Sequence, residues 1–392
     1  METHRVTQFL IILYCCSTLM VFNNNLNHAF AAELSCEFPA IFNFGDSNSD
    51  TGGLAAAFTP PKSPYGETFF HAPAGRYSDG RLIIDFIAAS LGLEYLSAYL
   101  NSVGSNFTQG ADFATAASTI TPQNRGLNQG GYSPFYLGVQ YSQFQQFMSR
   151  SQTSRNQGYT YTELLPVEEY FSQALYTFDI GQNDIGAGIF GNLSVQEVNA
   201  TIPDIINQFS IDFKSVYDEG ARFFWIHNTG PIGCLPYVLA NYPVEASEYD
   251  NASCAIPYNM LAQYFNQKLK DLVIELRNEL TFATITYVDI YTVKYNLISQ
   301  ANKYGFEQPL VTCCGYGINK YNYNTNAVCG GTINAINGTQ IVVGSCENPS
   351  VRVNWDGVHY TEAANKWIFD QIVDGNFSNP PVPLNMACHK FV

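Results

Sequence analysis

Short apolar runs alternate along the chain with longer segments in which apolar residues recur every three or four positions. Runs that are rich in β-branched and aromatic residues and are followed by turn-forming residues are typical of buried strands. Four such runs predict strands: Phe38–Phe44, Ala174–Ile180, Arg222–His227 and Thr284–Ile290.

The segments between these runs predict amphipathic helices. Tyr258–Leu276 places its apolar side chains on one face and charged side chains on the other. Ser194–Glu219 and Thr361–Ile372 show the same spacing, and Thr361 is a suitable N-cap. Strands alternating with helices predict an α/β fold with a mainly parallel sheet, in which ligands bind beyond the carboxyl ends of the strands.

The first 31 residues have the order of a secretory signal peptide. Arg5 precedes the apolar run Val6–Phe22, and a polar stretch then ends at Ala29-Phe30-Ala31. A retained membrane anchor would need about 20 apolar residues, and Cys, Ser and Thr side chains interrupt this run. We therefore predict a signal peptide at 1–31 and a single secreted domain at 32–392, with no stable membrane insertion.

Secretion changes the chemistry expected of the cysteines and asparagines. An even number of cysteines remains after cleavage, and in an oxidising compartment they predict disulfides: Cys36, Cys234, Cys254, Cys313, Cys314, Cys329, Cys346 and Cys388. Four of these lie close together in sequence and are expected to staple a long loop, whereas their spacing does not fit zinc. The N-x-S/T sequons predict N-glycosylation at Asn106, Asn192, Asn199, Asn251, Asn337 and Asn376.

The net negative charge of the chain disfavours binding to polyanionic partners. A formal net charge of -15 repels phosphate backbones and anionic membranes. Nucleic acid is therefore not an expected partner.

Two predicted turns carry the residues for nucleophilic catalysis. Gly45-Asp46-Ser47 follows the first predicted strand, so the Ser47 hydroxyl lies at the sheet edge where such folds bind ligands. A serine nucleophile needs a histidine to accept its proton. His359 stands directly before the last helix, and Asp356 is near enough in sequence to orient its imidazole. These residues predict a nucleophile, a base and an orienting carboxylate.

A third turn supplies a hydrogen-bond donor. Asn183 follows the second predicted strand, so its amide can stabilise negative charge on a carbonyl oxygen at the same edge. An Asx turn is the simpler alternative for this residue. Gly186–Gly191 matches a dinucleotide-binding pattern by letters, but Ser194 is the better helix cap. We therefore expect either a flexible loop beside Asn183 or an ordinary surface turn. His227, at a strand end, is expected to be structural.

Together these blocks resemble the plant GDSL esterases and lipases of the SGNH hydrolase superfamily, especially the early nodulin-type and latex-allergen esterases. The matching segments are Phe42–Gly52, Gly110–Thr119, Gly181–Asp184 and Asp356–His359. The resemblance implies a flavodoxin-like three-layer α/β/α fold with a mainly parallel five-stranded sheet. It implies Ser47 as nucleophile, His359 as base, Asp356 as its partner, and an oxyanion hole formed by the N–H groups of Ser47 and Ala117 and the side chain of Asn183.

Two departures from the family pattern lie in the second block. Ala117 stands where the family has glycine, and its N–H is well placed only if the residue has a negative φ; a positive φ costs strain or misplaces the donor. Asp112 replaces the usual asparagine, and the sequence gives no reason to expect a particular effect.

The sequence therefore predicts a serine esterase that hydrolyses a small-molecule or cell-wall ester without metal or cofactor. The alternatives are an α-L-fucosidase-like glycoside hydrolase using Asp46, Asp184 or Asp356, and a catalytically weak binding or storage protein. The expected location is the cell wall, with the vacuole as the other destination. The Pro-rich residues 50–75 predict a rigid rim rather than a lid helix, and two long loops, 118–136 and 312–350, are expected to shape the site. Acyl specificity and oligomeric state stay open.

Overall fold

The computed structural model describes residues 35–127, 131–159, 161–334 and 338–390. It separates Met1–Glu37 from a second unit, Phe38–Val392. The predicted signal peptide at 1–31 lies outside the described residues. The fold reported below is that of the second unit.

The described strands form two sheets. The strands are β1 (Ile41–Gly45), β2 (Gly110–Asp112), β3 (Leu175–Asp179), β4 (Phe223–His227), β5 (Thr284–Val288), β6 (Thr332–Asn334), β7 (Gln340–Val342) and β8 (Ser378–Asn379). The main sheet has the order β2-β1-β3-β4-β5-β8, in which the first five strands are parallel and β8 is antiparallel. The predicted flavodoxin-like, mainly parallel sheet is confirmed, with β8 as an additional two-residue edge.

The described α-helices lie on both faces of the main sheet. They are α1 (Gly53–Ala57), α2 (Ile83–Ser90), α3 (Leu137–Asn156), α4 (Tyr170–Gln173), α5 (Gln182–Phe190), α6 (Val195–Asp218), α7 (Pro236–Asn241), α8 (Ile256–Glu279), α9 (Ile290–Ser299) and α10 (Glu362–Ile372). The three helices predicted from periodicity correspond to α6, α8 and α10. Ser194 Oγ accepts the Glu197 N–H at 3.2 Å, and Thr361 Oγ1 accepts the Ala364 N–H at 3.2 Å, so both predicted helix starts carry an N-cap.

Alternation along β1 separates an aromatic face from a polar one. Phe42 stacks on Phe171 with ring centroids 5.0 Å apart, and Phe44 stacks on Phe178 at 5.0 Å. Asn43 points to the opposite face. Because each buried phenylalanine contributes about 3–5 kcal/mol relative to alanine, these contacts hold the strands that carry the candidate site.

One expected loop is a helix. Gly186–Phe190 belongs to α5, where a flexible loop or a surface turn was predicted, so that prediction is wrong. A Cβ added to Gly188 would lie 2.5 Å from Val198 Cγ2, which shows that this glycine allows α5 to approach α6 closely. The glycines thus serve helix packing, and the spacing of their letters carries no nucleotide-binding loop.

Three disulfides link residues in the C-terminal half of the chain. The pairs are Cys234–Cys254, Cys313–Cys346 and Cys314–Cys329. Cys36 and Cys388 are also disulfide-bonded. The predicted stapling of residues 312–350 is confirmed, and this loop also contains the hairpin β6–β7. None of the helices that the structure describes is both long enough and apolar enough to cross a membrane.

Candidate active site

Ser47 lies in a turn that the sheet holds in place. The turn follows β1, and the Asp46 N–H donates to the Asp179 carbonyl oxygen on β3 at 3.1 Å. Asp46 Oδ1 accepts the backbone N–H of Asn48 at 2.9 Å and its side-chain amide at 2.8 Å. Within the described residues, neither the N–H nor the hydroxyl of Ser47 makes a hydrogen bond. Both groups are therefore available to a substrate.

The loop after β2 lies beside this turn. The Thr115 N–H donates to the Gly45 carbonyl at 3.2 Å, and Asp50 Oδ2 accepts the Ala116 N–H at 2.7 Å. The next residue, Ala117, has φ 61°, the left-handed conformation in which alanine is strained. In the described part of the chain its N–H makes no hydrogen bond. The loop thus keeps a free backbone donor in spite of the strain.

Asn183 joins α5 to the same loop. It lies in the first turn of α5, and its Nδ2 donates to the Ser118 carbonyl oxygen at 2.9 Å. An amide nitrogen carries two hydrogens, so one remains for a ligand. The neighbouring Asp184 accepts the Ile120 N–H at 2.8 Å, which fixes α5 against the loop a second time. The loops that carry Ser47 and Ala117 and the first turn of α5, which carries Asn183, are therefore tied together at the carboxyl edge of the sheet.

Asp356 and His359 form a hydrogen-bonded pair before α10. Asp356 Oδ2 lies 2.6 Å from His359 Nδ1, and Oδ1 accepts the N–H groups of Val358 at 3.0 Å and His359 at 2.9 Å. Asp356 Oδ2 also accepts the Tyr65 hydroxyl at 2.8 Å. With Nδ1 donating to the carboxylate, His359 Nε2 is the acceptor nitrogen, and it is buried without a hydrogen-bond partner. This nitrogen is free to take a proton.

The charge of Asp356 is stabilised in place. Burial alone would raise its pKa, but the charge and hydrogen bonds of His359, with the N–H of Val358, outweigh burial and lower the pKa below its usual value. Asp356 is therefore a carboxylate at neutral pH, which suits a residue that orients an imidazole.

Residues 65–81, called here the bridging segment, connect the Asp356–His359 pair to the serine turn. Arg76 donates to the Thr51 carbonyl at 3.1 Å on the serine side. Ser78 Oγ donates to the Tyr360 carbonyl at 3.0 Å on the histidine side. The Tyr77 ring lies 5.5 Å from the His359 ring. One segment thus sets the position of both halves of the site.

The disulfide-bonded loop supports the pair from behind. The Cys314 N–H donates to the Trp355 carbonyl at 2.6 Å, and the Cys313 N–H donates to the Asn354 carbonyl at 3.1 Å. Trp355 is fully buried among these cysteines and packs against Tyr65 with ring centroids 6.0 Å apart. The backbone that presents Asp356 is therefore clamped by two disulfides.

The carboxylates around the serine turn behave differently from Asp356. Burial, with the charge of Asp179, raises the pKa of Asp46 to about 7. Burial, with the charge of Asp50, raises the pKa of Asp112 to about 8. Burial also raises the pKa of Asp184 to about 6. Each accepts hydrogen bonds that hold a loop in place, so they are structural acceptors.

Asp112 has a clear role in this arrangement. Its Oδ2 accepts the Thr51 N–H at 2.6 Å, and its Oδ1 accepts the Asn43 side-chain amide at 2.6 Å and the Ala114 N–H at 3.0 Å. The carboxyl group thereby links β1, the serine turn and the loop of Ala117.

The amino-acid sequence that forms this site matches a known protein family. The profile of the family described as GDSL-like Lipase/Acylhydrolase matches residues 41–372. The chain belongs to this family. Membership in the GDSL family confirms the resemblance stated from the sequence and makes the chain a carboxylic ester hydrolase.

Relatives over nearly the full length support the GDSL assignment. "Esterase" from Hevea brasiliensis is 64% identical over 93% of this chain and 92% of that protein. "GDSL esterase/lipase ENOD8" from Medicago truncatula is 55% identical over 97% of this chain and 95% of that protein. "Alpha-L-fucosidase 3" from Arabidopsis thaliana is 56% identical over 91% of this chain and 93% of that protein.

The sequence of this GDSL chain predicted the candidate catalytic residues, but it did not predict the residues that hold them in place. Ser47 and Ala117 lie on adjoining loops, Asn183 lies at the start of α5 beside them, and Asp356 and His359 are paired, while their catalytic roles stay predictions. His227 is buried, with Nδ1 3.2 Å from Asp179 and Nε2 accepting the Trp225 indole N–H at 3.0 Å. Tyr65 and the bridging segment were missed, because neither carries a local sequence signal.

Proposed function

We propose that this chain is a secreted serine esterase that forms an acyl-enzyme on Ser47. His359 Nε2 takes the Ser47 proton, and Asp356 orients and stabilises the imidazole. The N–H groups of Ser47 and Ala117 and the Asn183 side chain bind the developing oxyanion. The observation that carries the proposal is the buried, unpartnered His359 Nε2 behind an ionised Asp356.

The steps of the reaction follow from these roles. Ser47 Oγ attacks the ester carbonyl carbon, and the bond from that carbon to the alcohol oxygen breaks. The proton held on His359 goes to the leaving alcohol. A water molecule then repeats the attack with His359 as base, which releases the acid and restores the Ser47 hydroxyl. The substrate proposed is a small-molecule or cell-wall ester.

Fluorophosphonate labelling followed by peptide mass spectrometry tests the nucleophile directly. We expect an adduct on Ser47 that is lost in His359→Ala. The matched control is His227→Gln, which alters the second Asp-His pair of the fold and is expected to keep the adduct. An unlabelled Ser47 in folded protein contradicts the proposal and favours the binding or storage alternative.

The carboxylates argue against glycoside hydrolysis by this chain. That chemistry needs two carboxyl groups flanking a sugar ring. Asp184 accepts N–H groups of the neighbouring loop, Asp46 accepts Asn48, and Asp356 is committed to His359. The decisive measurement is release of fucose by Ser47→Ala. Loss of ester hydrolysis with retained fucose release would replace the proposal with the glycosidase.

Secretion is part of the proposal. All the sequon asparagines that the structure describes are exposed: Asn106, Asn192, Asn199, Asn251 and Asn376. Asn337 lies outside the described residues. Disulfides and exposed sequons suit an oxidising, glycosylating compartment. N-terminal sequencing and glycopeptide mass spectrometry of the exported protein test this, with cleavage near Ala31 expected.

A further inference from the structure

A small enclosed cavity opens beside Asn183. Its volume is about 110 Å³, and its walls are mainly apolar, formed by Gly186, Phe190, Ile232, Leu235, Tyr237 and Val358. One water molecule needs only about 10–15 Å³ of such space, so the chamber has room for a short alkyl chain. We name this space the chamber.

The sequence of α5 builds one wall of the chamber. Asn183, Gly186 and Phe190 are spaced three and four residues apart, so they share one face of the helix. A Cβ added to Gly186 would lie 3.0 Å from Phe190 Cε2. The missing side chain of Gly186 therefore lets the Phe190 ring lie back along the helix. The donor Asn183 stands at one end of this wall, and Phe190 closes the other.

Aromatic contacts hold the Phe190 ring in this position. Its centroid lies 4.7 Å from that of Tyr237, in an edge-to-face arrangement, and 5.2 Å from that of Tyr242, in a stacked one. Such pairs are favourable geometries for aromatic rings. The end of the chamber is therefore a packed wall.

A second cavity adjoins that wall. It has a volume of about 350 Å³ and shares Phe190 and Tyr237 with the chamber. Its other walls include Gln123, Arg125 and Tyr132, so it is larger and more polar. Phe190 thus separates a small apolar space from a larger one.

The two parts of an ester make different demands on such a site. The alcohol must leave while the acyl group is still bound to the serine, so the acyl group can occupy an enclosed space and the alcohol needs an open route. An apolar enclosed space also favours an alkyl chain. Because Asn183 is the proposed donor to the carbonyl oxygen, the chain attached to that carbon is next to the chamber.

We propose that the chamber binds the acyl chain and that Phe190 limits the length of this chain. This inference rests on the proposed function of Ser47 and Asn183. It assigns the substrates as esters of short acyl groups, and it makes Phe190 a specificity-determining residue.

The test compares p-nitrophenyl acetate, butyrate and octanoate as substrates of the glycosylated protein. We expect the wild type to hydrolyse butyrate at least tenfold faster than octanoate in kcat/KM. Phe190→Ala, which joins the two cavities, is expected to raise the octanoate-to-butyrate ratio at least tenfold and to change acetate hydrolysis less than threefold. The matched control is Tyr242→Phe, at a residue that lines the second cavity, and it should keep the wild-type ratio.

A second variant keeps the inference testable if Phe190→Ala does not fold. Ile232→Phe fills the chamber from another wall and is expected to lower the butyrate-to-acetate ratio at least fivefold. Active enzyme is counted in each sample by fluorophosphonate labelling of Ser47. Labelled enzymes with unchanged ratios overturn the chamber while leaving the esterase intact, whereas absent labelling in the wild type overturns the esterase itself.

Discussion

The serine side and the histidine side of the candidate site are stabilised in opposite electrostatic ways. On the serine side, burial raises the pKa of Asp46 to about 7 and that of Asp112 to about 8. On the histidine side, His359 and backbone N–H groups outweigh burial and lower the pKa of Asp356. The first side is built from hydrogen-bond acceptors at strand ends, and the second from a carboxylate hydrogen-bonded to an imidazole on a loop.

This contrast gives the two sides opposite dependence on pH. A carboxyl group whose pKa is raised by folding binds its proton more tightly in the folded state, so its contribution to stability falls as the pH rises from about 4 towards about 8. A carboxyl group whose pKa is lowered contributes fully above about pH 4, and this contribution is lost as the pH falls through its folded value. Mildly acidic pH is therefore the range in which the carboxyl groups of both sides together contribute most to the stability of the fold.

The largest expected effect tests the hydrogen-bonded pair of Asp356 and His359. Asp356→Asn removes the charge that orients His359, and we expect kcat for ester hydrolysis to fall about 10⁴-fold, as in other serine hydrolases. The measurement is steady-state hydrolysis of a short ester by folded protein. Asp179→Asn, in the buried Asp179–His227 pair, is the matched control and is expected to change kcat less than tenfold. Equal losses in both variants would remove the distinction between the two pairs.

The next effect tests the serine side. Asn183→Ala removes a donor to the developing oxyanion, so we expect kcat to fall about 10²- to 10³-fold with KM changed only a few-fold. The two constants are measured separately on p-nitrophenyl acetate. A KM effect with unchanged kcat would show that Asn183 only holds the loop through the Ser118 carbonyl.

The disulfides allow the histidine side to be loosened, with a second disulfide elsewhere in the fold as the control. Removing the Cys314–Cys329 bond by paired serine substitutions frees a loop of 15 residues, for which about 3 kcal/mol of stability is expected to be lost. Removing Cys234–Cys254, with a separation of 20 residues, is expected to cost a similar amount. Only the first should lower the activity of the remaining folded protein, by about tenfold. Denaturant unfolding and activity at 25 °C measure the two effects.

A substitution at Tyr65 tests the role of the bridging segment. Tyr65→Phe removes one hydrogen bond to the Asp356 carboxylate, so the pKa of Asp356 rises and kcat/KM falls about tenfold. The acid limb of the pH profile should move to higher pH. Tyr77→Phe keeps a ring beside His359 and is the matched control. A uniform loss at every pH would indicate a purely structural effect of Tyr65.

The smallest effect concerns Ala117. Glycine adopts the observed φ of 61° without strain. We expect Ala117→Gly to raise the free energy of unfolding by about 1 kcal/mol or less, since glycine also increases the entropy of the unfolded chain. Activity is expected to stay within a few-fold. A large gain in kcat would mean that Ala117 misplaces its N–H.

The two regions also differ in how far sequence alone predicts them. Ser47 and Asn183 were placed at one edge because parallel strands share their carboxyl ends, and Ser194 and Thr361 marked helix starts by local capping. The pairing of Asp356 with His359 is local as well. Tyr65 could not be found in this way, because its partner is 291 residues away in the chain. The helix α5 was missed because its glycines hide a packing role that only the neighbouring α6 explains.

The long-range contacts of the bridging segment form only late in the synthesis of the chain. Its bonds to the histidine side, such as Tyr65 to Asp356 and Arg81 to Glu362, span 291 and 281 residues. A ribosome synthesises the serine side first, so the nascent protein carries Ser47 long before His359 exists. On the proposed roles of Ser47 and His359, the nucleophile therefore has no base until synthesis is nearly complete. An immature or C-terminally truncated chain would pass through the cell without esterase activity.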